Sequence, residues 1–234
     1  NRLAVDIGGT FTDLALEVGG RRVTAKVLTT PAAPERAVLD GLAKVMAEAG
    51  IAPARVSLII HGTTLATNAL IERAGAKTAL IVTEGFRDSV EMAYEHRFEQ
   101  YDLYMRRPEP LVPRHLRFPV PERIAADGEV LLALDETALD SISERLVAEQ
   151  VESVAVGFLH SYKNSEHEQR VGAWLADRHP ELPVTLSSDV CPEIREYERI
   201  STTVANAYVQ PLMGSYLRSL EAEIAGLGIP GPLL

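Results

Sequence analysis

An apolar run, Leu3-Ala4-Val5, gives way at once to Asp6-Ile7-Gly8-Gly9-Thr10-Phe11-Thr12-Asp13. Two adjacent glycines let a strand reverse tightly and expose backbone N–H groups with no side chains in the way. If the chain continues as a second strand, Thr10 and Thr12 fall on alternate positions and both hydroxyls face the same ligand. Such a hairpin suits phosphate. Asp6, at the end of the first strand, is placed to orient a Mg²⁺ ion through water, because that cation takes oxygen ligands and keeps much of its hydration shell.

Length and composition suit a soluble enzyme or a piece of one. With 234 residues, 46% of them hydrophobic, the chain can bury a sizeable core in one large or two small domains. No apolar run approaches the ~18 residues of a membrane span, and the amino terminus lacks a signal-peptide pattern. A formal charge of −10 argues against nucleic acid as a partner. The single cysteine, Cys191, rules out a disulfide within the chain and fits a reducing, cytoplasmic compartment. The missing initiator Met and the Pro230-Gly231-Pro232-Leu233-Leu234 ending suggest a trimmed piece of a longer protein.

Periodicity predicts strands over about 2–8, 11–18 and 22–29, with Gly19-Gly20 turning between the last two. Pro34-Glu35 opens a helix over about 34–49 that carries Val38, Leu39, Leu42, Val45 and Met46 on one face and ends before Gly50. A strand at 56–60, a helix over 65–73 and a strand at 78–82 complete a lobe core over residues 1–84. Regularity fades between Phe86 and Pro121, where the prolines at 108, 110 and 113 forbid a continuous helix or central strand. Asp127-Gly128 marks a hairpin between 116–125 and 129–133. A helix over 136–149 and a strand–helix–strand unit at 151–159, 165–178 and 184–186 make an inserted α/β portion over 85–190. A long helix over about 193–225, bent near Pro211, fills most of 191–234.

The opening hairpin resembles the first phosphate loop of the actin, Hsp70 and sugar-kinase superfamily. His61-Gly62-Thr63-Thr64-Leu65-Ala66-Thr67-Asn68-Ala69-Leu70-Ile71-Glu72-Arg73, with Gly75 to Leu80 and Thr83-Glu84-Gly85-Phe86-Arg87-Asp88, is similar to the hydantoinase A/oxoprolinase family. So are Ser161-Tyr162 and the stretch from Glu196 to Tyr208. The likeness runs along nearly the whole chain. It implies an α/β fold with a ribonuclease-H-like lobe of the actin/Hsp70/sugar-kinase type, an inserted α/β portion, and a second lobe absent from this sequence. It also implies ATP-dependent attack on small cyclic imides or lactams such as hydantoins and 5-oxoproline. Related members phosphorylate a ketone before carboxylating it. ATP and Mg²⁺ are the implied cofactors, a B-type subunit the implied partner, and an oligomer the implied assembly. Two further readings remain, a sugar-kinase-like phosphotransferase and a docking module without chemistry of its own.

On this likeness Gly8, Gly9, Thr10 and Thr12 hold the phosphates, while Asp6 and Asp13 orient metal or water. His61-Gly62-Thr63-Thr64 follows a buried strand, where open α/β sheets bind ligands. Thr63 and Thr64 either meet substrate or cap the next helix, and Asn68 lies one turn further along that helix. His61 is either a proton-transfer group or a hydrogen-bonded structural histidine. Arg87 either binds a substrate carboxylate or phosphate, with Glu84 or Asp88 as base, or belongs to an arginine–carboxylate cluster that fixes a loop. Glu193 to Arg199 reads as a solvated helix face. Ser201, Thr202, Thr203 and Asn206 either face an interlobe cleft or bond between helices. Cys191 reads as a buried structural thiol. His96, His115, His160, His167 and His179 show no zinc-site spacing.

Overall fold

A computed structural model describes residues 1–30, 32–94 and 99–234. His96 lies outside the described residues. The chain divides into two compact units, residues 1–74 together with 212–234, and residues 75–211.

The first unit is built on strands β1 (Arg2–Ile7), β2 (Phe11–Val18), β3 (Arg21–Leu28) and β4 (Leu58–Thr63), with helices α1 (Pro34–Ala49) and α2 (Leu65–Ile71). Neighbour order is β3-β2-β1-β4, with β1 antiparallel to β2 and parallel to β4. At the free edge of β4, Ile59 makes a parallel bridge to Leu233, and the N–H of His61 donates to the carbonyl of Leu234 at 2.7 Å. Period-2 alternation decides the two faces. Leu3, Val5 and Ile7 of β1 and Thr12, Leu14 and Leu16 of β2 are buried on one face, whereas Ala4, Asp6 and Asp13 fall on the other.

Helix α1 begins on Pro34, whose fixed φ suits the first helical position, and ends on Gly50, whose φ of 68° is the left-handed cap that favours glycine. Its Val38, Leu42 and Val45 are fully buried, and removing a side chain such as that of Leu42 costs ~2–5 kcal/mol. Gly41 sets the approach, since a Cβ there would lie 2.0 Å from Cδ1 of Leu14. Tyr216, Leu220 and Ile224, spaced every four residues on the C-terminal stretch, close the same core.

The second unit contains β5 (Thr78–Thr83), α3 (Ser89–Met92), β6 (Arg117–Val120), β7 (Arg123–Ile124), β8 (Val130–Leu132), α4 (Thr137–Ala148), β9 (Ser153–Gly157), α5 (Glu166–Arg178), β10 (Val184–Leu186) and α6 (Ser187–Val190). Its sheet is wholly parallel, in the order β10-β9-β5-β6. All residues of β5 and β9 are buried, as expected of parallel strands covered on both faces. The last helix, α7 (Glu196–Gly226), gives Ile200, Val204, Ala207 and Tyr208 to the second unit, and the division falls just after Pro211. Pro211 has no N–H, so the carbonyl of Ala207 loses its helical donor there.

Three features depart from the sequence reading. Strand β5, placed by the periodicity in a 1–84 lobe core, is instead central to the second sheet. Its apolar run TALIVT fits any doubly covered strand, and residues 75–77 join the second unit, Gly75 packing so closely on Tyr208 that a Cβ would meet the ring at 2.2 Å. The hairpin across Asp127-Gly128 is short, β7 against β8, and Arg117–Val120 pairs with β5 instead. Arg199, read as part of a solvated face, is 1% exposed.

Candidate functional site

The turn after β1 is closed by the Gly8 N–H, which donates to the Phe11 carbonyl at 2.9 Å. Both glycines sit in tight surroundings: a Cβ on Gly8 would lie 3.1 Å from the Phe11 carbonyl oxygen, and one on Gly9 would lie 3.1 Å from Nδ2 of Asn68. Thr10 sits exposed in the turn. Thr12 does not join it. Because β2 starts at Phe11, Thr10 is still in the turn, and Thr12 points into the core with Leu14 and Leu16 at 0% exposure. Its hydroxyl shares a hydrogen bond with Thr29 Oγ1 at 3.0 Å, and Thr29 donates to the Gly8 carbonyl at 2.9 Å. The Thr29 N–H also donates to the Thr10 carbonyl at 2.9 Å. Thr29, missed in the sequence reading, thus braces the turn from the end of β3.

Asp6 and Asp13 face each other directly across β1 and β2. The row continues on both sides, with Gly62 beside Asp6 on β4 and Lys26 beside Asp13 on β3. Lys26 Nζ lies 2.7 Å from Asp13 Oδ2, so one carboxylate of the pair is neutralised within the protein. Asp6 is exposed and has no hydrogen-bond partner among the described residues. Gly62 leaves room around it, a Cβ there lying 3.5 Å from Asp6 Oδ1. All four residues line an open hollow of about 470 Å³ on the bare face of the sheet. One free, hydrated carboxylate beside a glycine suits a divalent cation held mainly through its own water. No cluster of three or more ligating side chains occurs among the described residues, so a cage made wholly of protein is not on offer.

His61 is next to Val5 in register and points to the opposite, helix-covered face. Its Nε2 lies 2.6 Å from the Tyr216 hydroxyl, and burial lowers its pKa against the pull of the Asp6 charge. Burial, with Glu35 adding, pushes the Tyr216 phenol far up. The phenol therefore keeps its proton, burial favours the neutral imidazole, and the two groups share one hydrogen bond. This supports the structural reading of His61 over proton transfer from that nitrogen. Tyr216 is a second residue that the sequence reading missed.

The Thr64 N–H donates to the Ile7 carbonyl at 3.1 Å, tying the start of α2 to the end of β1. Thr63 Oγ1 accepts from the Leu65 N–H at 3.1 Å, whereas Thr64, the residue before the helix, makes no side-chain cap. Asn68 reaches back to Gly9, so the structure brings these two predicted residues together. Glu84 and Arg87 belong to the second unit. The Glu84 side chain is exposed, and Arg87 Nη2 donates to the Arg114 carbonyl at 2.7 Å. Around them Asp88 accepts from Arg114 at 2.9 and 3.0 Å and from the buried Arg117 at 3.3 Å, while Glu91 lies 2.8 Å from Arg117. That is the loop-fixing cluster.

Buried polar groups collect where β5, β9 and β10 end. Glu168, fully buried, accepts from the Phe158 N–H at 2.8 Å, the Ser187 hydroxyl at 2.6 Å and the Ser188 N–H at 2.8 Å. Arg199 donates to Ser187 Oγ at 3.2 Å and to the Phe158 carbonyl at 2.9 Å; burial lowers its pKa, and Glu168 opposes that. Nearby, Glu122 bonds the Thr83 hydroxyl and lies 2.8 Å from His167 Nδ1. Ser201 and Thr203 donate to carbonyls one turn back in α7, and Asn206 reaches Thr185 at 3.3 Å. Cys191 is a half-buried free thiol rather than a fully buried one.

These arrangements rest on a mixed α/β fold that is shared with known proteins. The chain belongs to the hydantoinase/oxoprolinase family, its residues 2–178 matching the N-terminal region of that family. It is 40% identical over 238 residues to the caprolactamase subunit alpha of Pseudomonas jessenii, covering 99% of this chain and 34% of the relative. The crystal structure of the ATP-dependent caprolactamase from that organism superposes with a TM-score of 0.92 at 39% identity, over 100% of this chain and 35% of the other. A nucleotide-free acetone carboxylase structure superposes with a TM-score of 0.84 at 28% identity, over 97% of this chain and 34% of the other. The 5-oxoprolinase of Saccharomyces cerevisiae is 31% identical over 265 residues, covering 96% of this chain and 20% of the relative. The chain therefore spans about a third or less of the length of these relatives.

Proposed function

We propose that this chain is the amino-terminal part of an ATP-dependent enzyme that opens small lactams or cyclic imides, of the caprolactam, hydantoin or 5-oxoproline type. The observation that carries the reading is the Gly8-Gly9-Thr10 turn set beside the free carboxylate of Asp6, in a chain 40% identical to part of a caprolactamase subunit. A β3-β2-β1-β4 sheet with Leu233 at its edge supports a ribonuclease-H-like lobe of the actin, Hsp70 and sugar-kinase type.

In this reading the turn meets the phosphates, Thr10 offers its hydroxyl, and Asp6 holds water around a Mg²⁺ ion. Mg²⁺, when bound, supplies positive charge to the phosphate oxygens. Thr12, Thr29 and the Asp13–Lys26 pair brace the hairpin. The amide oxygen takes the terminal phosphoryl group as ADP departs, which makes the ring carbon open to water. The ring nitrogen then leaves with a proton, and a second water releases phosphate. Catalysis of this kind is mainly positioning and neutralisation of charge. Roles for Glu84 and Arg87 are not carried forward, because Arg87 is tied to the Arg114 carbonyl beside the Asp88 cluster and the exposed Glu84 meets no predicted site residue. A B-type subunit as partner and a cytoplasmic location complete the proposal; among the described residues no helix is long and apolar enough to cross a membrane. The test is ADP release by the full-length protein, with and without its partner subunit, on ε-caprolactam, hydantoin, 5-oxoproline and acetone. Lactam- or imide-dependent ADP release supports the proposal, and bicarbonate-dependent turnover of acetone alone would replace it with ketone carboxylation.

A further inference from the structure

A second hollow in the first unit, of about 410 Å³, opens on the helix-covered side of the sheet between α1, α2 and α7. Its lining mixes apolar side chains, Leu65 and Leu212 among them, with polar ones. Asn68 and Glu72 come from α2, Glu35 from the first turn of α1, and Ser215 and Ser219 from α7, with the buried Tyr216 among them. Apart from Tyr216, which is bound to His61, none of these side chains has a hydrogen-bond partner among the described residues. Glu72, Ser215 and Ser219 are exposed and Glu35 and Asn68 half-buried, so all five keep their hydrogen-bonding capacity open to solvent or to a small molecule in the hollow.

The charge says what kind of molecule that is. Two carboxylates line the hollow and neither Lys nor Arg does, so a triphosphate is repelled there. The anionic ligand belongs on the turn, and the hollow takes a neutral hydrogen-bonding one. Asn68 narrows the class. Its carboxamide presents a donor and an acceptor side by side, which matches the adjoining C=O and N–H of a cis amide held in a ring. A hollow of this size also suits a five- to seven-membered ring. Gly9 lines the hollow and also belongs to the turn, and its missing side chain is what lets Nδ2 of Asn68 come so close.

Resting on the reading above, we infer that this hollow is the lactam subsite, with Asn68 pairing to the ring amide and Ser215 and Ser219 offering hydroxyls to the rest of the ring. The test uses the full-length enzyme and ε-caprolactam. Asn68→Leu keeps nearly the same shape and adds no charge beside the turn but loses the donor to the lactam carbonyl, and Ser219→Val fills the hollow from a different element. Both variants are expected to raise the KM for ε-caprolactam about tenfold or more, with the KM for ATP within about twofold of the parent. Saturation-transfer NMR with ε-caprolactam and no ATP reads the same loss without turnover. An unchanged lactam KM in both variants, or a loss confined to ATP, overturns the subsite while the proposed reaction stands. Failure of the parent enzyme to use any lactam overturns the reaction and the subsite together.

Discussion

Tyr216 Oη lies 2.6 Å from Nε2 of His61, so a residue near the end of the chain holds the imidazole of one in the fourth strand. The folded imidazole resists protonation because burial lowers its pKa from the ordinary 6.5. Below about pH 6.5 the unfolded chain takes a proton that the folded chain refuses, so this contribution is complete above that pH and is lost as the pH falls toward the lowered folded value. The urea midpoint of the full-length protein should drop between pH 8 and pH 5, and His61→Gln should flatten that dependence. A steeper fall in the variant would contradict the assignment.

Asp6→Asn should separate rate from stability. The amide matches the carboxylate in size, and Asp6 makes no hydrogen bond that folding requires among the described residues. On the proposed reading, in which Asp6 holds a hydrated cation, loss of its charge should lower ATP-dependent turnover of the full-length protein about 10²–10³-fold. The melting temperature should stay within about 2 °C, as is usual for exposed substitutions. Steady-state kinetics within about threefold of the parent would move the metal elsewhere.

Thr12→Val should do the reverse. The hydroxyl is buried between β2 and Thr29, so its removal costs about 1–2 kcal/mol and leaves the KM for ATP near the parental value. Thr10→Ala, on the exposed turn, should raise the KM for ATP with little change in melting. If both variants weaken ATP equally, Thr12 reaches the phosphates after all.

Arg199→Met should be among the most damaging changes in the second unit. It strips the buried Glu168 of its countercharge and leaves the Phe158 carbonyl without its Arg199 donor, at a cost of ~3–5 kcal/mol. Limited proteolysis of the full-length protein should then cut within residues 75–211 first. Parental resistance would mean that Ser187 and the Phe158 and Ser188 N–H groups satisfy Glu168 unaided.

Local signals were the legible ones. Pro34 and Gly50 bracket α1 as their backbone preferences require, and the alternation of β1 separates Asp6 from Leu3, Val5 and Ile7 without ambiguity. What depended on pairing at a distance was not legible. TALIVT suits any doubly buried strand, and nothing local says which sheet receives it. The start of β2 at Phe11 was read correctly, but Thr12 was grouped with Thr10 across the turn rather than with Leu14 and Leu16, whose face it shares. Tyr216 and Thr29 gain meaning only from partners 155 and 17 residues away. Arg199 sits in a run of charges that reads as solvated until Ser187 and Phe158 are found around it. A Tyr-x-x-x-Leu-x-x-x-Ile stripe in the terminal helix was the one available hint that this stretch closes a core.

The split of the first unit around residues 75–211 has a consequence for the order in which the protein is made. A ribosome delivers β1 to β4 early, yet their core is unfinished until Tyr216, Leu220 and Ile224 have been synthesised. The second unit is continuous in sequence and can settle first. Doing so shortens the effective loop that the first unit must close, and closure entropy grows with loop length. The nascent first sheet, covered by α1 but not yet by α7, meanwhile waits with part of its apolar face open, and that interval is when a chaperone has most to offer it.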